Sequence, residues 1–207
     1  AADTCLERIL EIDPTYERAS ELLVVSYRDT QNWSSLVKLL EQQAARDHDA
    51  FAVKRELAEL HEEYLSDPVA AFDWFSAALM LEPSSLEMLA GAQRTANASD
   101  AHEALKSLLA GLVDDALGAE ASYLRILVDL ADDDADNLDE IISYLERLSE
   151  YGPLGADDLH TLGMRYEKAG RWSDRVKVYE WQLDGADEPL EKTQILTAMG
   201  DIYAKIL

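Results

Sequence analysis

The chain has 207 residues, 42 of them acidic and 18 basic, for a net charge of −24. A polyanion of that size is repelled by nucleic-acid backbones and by anionic membrane surfaces, and an apolar fraction of 48% excludes wholesale disorder. Glycine and proline number only nine and five, and strand-like runs of valine, isoleucine and threonine are nearly absent, so the chain reads as all-α. The densest basic cluster, Arg171, Arg175 and Lys177, is interleaved with Asp174 and Glu180. No stretch reaches the roughly 18 apolar residues of a membrane span. The acidity fits a solvated surface, a basic partner or adaptation to salt. The lone Cys5 admits no internal disulfide and is expected to act as a small apolar helix residue.

In chain order, the apolar segments CLERILEIDP, FSAALMLEP and YLERLSEYGP end at Pro14, Pro83 and Pro153, spaced by 69 and 70 residues. Both intervals are close to twice 34 or 35 residues, a period that marks stacked helical hairpins. After Pro14 comes a helix through Leu23 and Tyr27, a polar turn at Asp29–Asn32, and a helix with Trp33, Leu36 and Leu40. The next pair carries Leu57, Ala58 and His61, then Asp67 as a cap with Pro68 at the first helical position, where its missing N–H is not needed. Ala71, Phe75 and Ala78 form the buried stripe of that second helix. A third pair turns at Asn97–Asp100, and a fourth at Asp132–Asn137.

The fifth pair, Leu159 to Leu183, is the clearest. Leu159, Leu162 and Tyr166 share a face, and Gly163 lies beside them where a side chain would obstruct a neighbour. Gly170 ends that helix, and Trp172, Val176 and Tyr179 carry the next apolar face. From Thr193, a sixth set of Leu196, Met199, Gly200 and Tyr203 repeats Leu159, Leu162, Gly163 and Tyr166 at an offset of 37 residues. The expected organisation is one array: a half repeat 1–16, repeats 17–50, 51–85, 86–119, 120–155 and 156–192, and a half repeat 193–207, with about 12 helices. The unfinished ends read as those of a segment cut from a longer protein, or as faces that pair end to end with another copy. The cytoplasm is slightly favoured as compartment, with the true N-terminus upstream of Ala1.

The unit Leu162, Gly163, Tyr166, Gly170, Trp172 and Tyr179 resembles the tetratricopeptide repeat family, in an irregular array. Ala2, Leu6, Ile9 and Pro14, and again Ala71, Phe75, Ala78 and Pro83, resemble its second-helix half. Leu36, Leu105, Ile141 and Arg175 stand where that family prefers alanine, and are expected to widen or tilt the packing. The resemblance implies a right-handed α-α superhelix whose first helices line a concave groove for proteins or peptides. Matching positions include Arg18, Glu21, Arg28, Arg55, Glu59, Glu62 and Arg94, then Leu124, Asp157, His160, Met164, Glu167 and Lys168. Of these, Arg18, Arg28, Arg55, Glu59, Arg94, His160, Met164 and Lys168 are the candidate partner-binding residues. The lysine and asparagine clamp that the family uses on peptide carboxylates is missing.

No constellation for catalysis, cofactor or metal stands out. Asp132, Asp133, Asp134 and Asp136 resemble the start of a calcium loop, but Asn137 replaces its glycine and Ser143 its final glutamate, so a capped, solvated turn is expected. His48, His61, His102 and His160 lack zinc-helix spacing, and His61 takes a position that tyrosine fills in other repeats. Among the tryptophans, Trp33 and Trp172 fit the packing stripes, while Trp74 and Trp181 are offset and are the candidates for exposed contacts. The expected function is a non-enzymatic protein-binding scaffold; the alternative is the regulatory or sensor arm of a larger enzyme or transcriptional regulator.

Overall fold

The computed structural model describes residues 2–47, 49–131 and 138–206, and among them it contains twelve helices and no strand. The chain forms two compact units, Ala1–Ala119 and Glu120–Leu207. The first holds α1 (Ala2–Ile12), α2 (Glu17–Asp29), α3 (Trp33–Arg46), α4 (Phe51–Glu63), α5 (Pro68–Leu79), α6 (Leu86–Ser99) and α7 (His102–Leu112). The second holds α8 (Glu120–Leu130), α9 (Leu138–Glu150), α10 (Ala156–Lys168), α11 (Trp172–Gly185) and α12 (Pro189–Lys205). Within each unit every helix packs on the one before and the one after it, which is the all-α array of hairpins read from the period.

The turns inside the pairs share one construction. Gln31, Ser66, Asp100 and Gly170 all take positive φ, from 52° to 69°, and each stands immediately before the N-cap residue of the second helix. A left-handed residue there reverses the chain, and the N–H that follows it closes the helix it leaves: Asn32 donates to Tyr27, Ala101 to Ala96 and Arg171 to Tyr166. Asn32 and Asp67 then accept from the N–H groups of Ser35 and Ala70, satisfying donors that the helix itself cannot. The turn of the third pair is shorter than expected, because α6 runs through Asn97 to Ser99 and only Asp100 turns. The fourth turn, Asp132–Asn137, lies outside the described residues, as does His48.

Burial follows the helical stripes. In the first unit Leu23, Tyr27, Leu36, Leu40 and Leu57 share one cluster, with Trp33 and Trp74 packed against it. Trp74 is therefore a packing residue and not an exposed contact: its ring reaches the apolar cluster beside the stripe. Leu36, Leu105 and Ile141 are also buried, so these bulky residues fill the interior at positions where the resembled family prefers alanine. Cys5 lies in α1 but is exposed, and Leu124, assigned to the groove by spacing, is fully buried.

One inter-repeat contact recurs in both units. The Tyr27 hydroxyl of α2 donates to Glu7 of α1 at 2.6 Å, and the Tyr166 hydroxyl of α10 donates to Glu146 of α9 at 2.7 Å. The final helix departs most from expectation. It begins at Pro189 rather than Thr193, since proline suits the first helical position. Ile195 and Ile202 are its buried residues, while Leu196 and Tyr203 are exposed. Their counterparts Leu159 and Tyr166 lie on α10, which has α11 packed after it.

Candidate protein-interaction surface

In Ala1–Ala119 the candidate arginines sit on the first helices α2, α4 and α6, and a carboxylate meets each of them. Arg28 of α2 donates through Nε and Nη2 to Glu56 of α4. Arg94 of α6 grips Glu62 of α4 with two bonds of 3.0 Å each, and this contact, more than any other, holds the guanidinium pKa above its ordinary value. Arg55 and Glu59, one helical turn apart on α4, approach to 3.6 Å. Arg18 pairs with Glu21 on its own helix, at 3.2 Å and well exposed, a geometry that contributes little to stability.

The structure brings three of the candidates to one cleft of about 400 Å³: Arg28, Arg55 and Glu59, together with Glu56, Trp33 and Tyr64. The two rings touch at 4.2 Å between centroids, tilted by 31°. Burial holds the Glu59 carboxyl above its ordinary range; Glu87, Glu63 and Glu56 push the same way and Arg55 opposes them. The cleft thus offers an aromatic floor with charges of both signs. Tyr64 was missed by spacing, because it caps α4 beyond the last periodic residue; its only signal was an aromatic next to a helix end.

In Glu120–Leu207, His160, Met164 and Lys168 stand four residues apart along α10 and are all exposed, so they share one solvent-facing stripe. Nearby, Arg125 of α8 pairs with Asp158 of α10, which also accepts from the Gly155 N–H at 3.2 Å and so starts α10. First helices of successive repeats are therefore bridged by arginine and carboxylate in this unit too. Sequence spacing found Arg28 but not its partner Glu56, and it found neither Arg125 nor Asp158.

His61 is buried in α4 with Nδ1 at 3.8 Å from Asp67, a packing position rather than an open ligand. Among the described residues no three histidine, cysteine or carboxylate side chains converge as a metal site, and the aspartates of the suspected calcium loop lie outside those residues. No described helix is long and apolar enough to cross a membrane.

No protein-family model matches the chain, and no curated protein matches it. Similar solved structures are helical. One, of MamA, is 16% identical, with a TM-score of 0.46 over 77% of this chain and 91% of that one. A second of MamA is 14% identical, with a TM-score of 0.45 over 88% and 91%. The Naa15/Naa10 complex bound to HypK-THB is 14% identical, with a TM-score of 0.49 over 95% of this chain but 30% of that one. A likeness at this level assigns the chain to no family.

Proposed function

We propose that the chain is a non-enzymatic scaffold that binds a protein or peptide on the exposed face of its first helices. The observation that carries this reading is the cleft of α2 and α4, where Arg28, Arg55 and Glu59 surround the Trp33–Tyr64 pair. An aromatic surface ringed by partly satisfied charges suits a polypeptide, which presents both apolar side chains and polar backbone. In this reading Arg94 and Arg18 extend the face along Ala1–Ala119, and His160, Met164 and Lys168 form the corresponding stripe on α10.

Selection of a random-peptide display library against the chain tests the proposal. Enriched peptides are expected to bind at micromolar concentration, and the paired change Arg28→Ala with Arg55→Ala is expected to weaken them about tenfold, the scale of one interface hot spot. A library that yields no enriched peptide would sink the reading. Peptides that bind the paired variant as well as the parent would remove it from this face.

A further inference from the structure

A second cleft, of about 780 Å³, lies wholly within Glu120–Leu207, between the first turns of α10 and α12 and the last turn of α11. Leu154, Leu159, Ile195 and Trp181 form its apolar lining, and Trp181 is 44% exposed there. Its charged lining residues are Asp184 and Glu191, both exposed, and among the described residues no lysine or arginine lines it. In the cleft of α2 and α4, by contrast, Arg28 and Arg55 stand among the glutamates. α11 ends at this cleft in the extended residue Ala186 (φ −80°, ψ 131°) and has no basic residue in its last turn.

We propose that this cleft binds a partner polypeptide segment in which a large apolar side chain is flanked by lysine or arginine. The apolar side chain lies against Trp181, Leu159 and Ile195, where it sheds water. The flanking cations face Asp184 and Glu191, the charged residues of the lining. An acidic segment of the same apolar content is repelled both by these groups and by the net charge of −24. The proposal rests on the reading of the chain as a polypeptide-binding scaffold, and adds a site and a partner chemistry that the first-helix face does not supply.

Three fluorescein-labelled peptides titrated into the 207-residue chain test it: Gly-Lys-Arg-Leu-Phe-Arg-Lys-Gly, a variant with Ser-Ser in place of Leu-Phe, and one with glutamate in place of every basic residue. The first is expected to bind about tenfold more tightly than either control, with affinity that falls as salt rises. Trp181→Ala is expected to weaken it about tenfold, as loss of a central aromatic anchor does. Asp184→Asn with Glu191→Gln changes only exposed positions, leaves the fold in place, and is expected to lower both the affinity and its salt dependence. Equal binding of the two basic peptides would reduce the effect to net charge and overturn the proposal. So would equal binding of the acidic peptide, or binding indifferent to Trp181→Ala and to the paired charge change. Selected peptides that depend on Arg28 and Arg55 would then still support the scaffold reading, which falls separately if no peptide is captured.

Discussion

The two units use the same device, a missing Cβ, to admit quite different side chains. In Ala1–Ala119, Gly91 of α6 lies against the ring of Phe75 on α5, a dry contact in which only volume matters. In Glu120–Leu207, Gly163 of α10 makes room for the guanidinium of Arg175 on α11. A buried guanidinium needs more than room. Its Nε donates to Glu167 at 2.8 Å and its Cζ lies 3.8 Å from the centroid of the Tyr179 ring, while Nη1 finds no hydrogen-bond partner among the described residues. A glycine beside an aromatic is thus a packing solution. A glycine beside a buried arginine is a packing solution that leaves one polar group uncompensated.

The largest effect is expected where nothing can give way. A Cβ at Gly91 would fall 2.4 to 2.6 Å from three atoms of the buried Phe75 ring. Gly91→Ala is expected to lower stability by about 2 kcal/mol, within the range for overpacking a filled core. Gly111, also in a helix of this unit, has nothing within 4 Å of its Cβ position. Gly111→Ala is accordingly expected to stabilise by up to about 1 kcal/mol through helix propensity alone. Urea unfolding followed by far-ultraviolet circular dichroism reads both. Equal effects at the two positions would mean that the Phe75 ring swings aside and that the close approach is incidental.

A smaller effect is expected at Gly163, because the atom in the way ends a long side chain. The Cβ would lie 1.9 Å from Arg175 Nη1, so Gly163→Ala must displace the guanidinium from Glu167 and Tyr179, at a cost of about 1–2 kcal/mol. The test is a double-mutant cycle with Arg175→Ala. Alanine at both positions should recover much of the loss, giving a coupling of about 1 kcal/mol or more. Strictly additive losses would separate the glycine from the arginine.

This pair also shows how far the sequence could be read. The proline spacing and the recurring Leu, Gly and Tyr positions were enough for an all-α array of about twelve helices, because a stripe of apolar residues must be covered whatever covers it. The obstruction at Gly163 was legible too, since the glycine breaks an otherwise apolar face. That Arg175 would be the occupant was not, because the buried guanidinium is paired by Glu167 of α10, a neighbour only in the fold. The same reason hid Glu56 behind Arg28, and the Arg125–Asp158 pair altogether: on an acidic chain, abundant carboxylates give no sign of which one is paired. On α12 the spacing of Leu196 and Tyr203 copied α10, but repetition records the residues and not what lies over them.

The contact that the units share gives the smallest and most even effect. Burial foremost, and then the hydrogen bond to Glu7, pushes the Tyr27 hydroxyl up to about 12; Tyr166 is raised in the same way by burial and Glu146. In both cases the folded chain keeps a proton that the unfolded chain releases near the ordinary value of 10.0. The stabilisation is therefore complete below that value and drains away as pH climbs through it towards the folded-state pKa. Tyr27→Phe and Tyr166→Phe are each expected to cost about 1 kcal/mol at neutral pH, the worth of one hydrogen bond, and to flatten the alkaline fall in stability. Each should also remove one late phenol from a phenolate-absorbance titration of the folded protein, in which Tyr123 and Tyr144, likewise pushed up to about 12, remain as internal references. If one substitution flattens the alkaline profile and the other does not, the tyrosine–glutamate contact is not a common element of the two units, and the equivalence of α2 with α10 fails at the residue where their geometry agrees best.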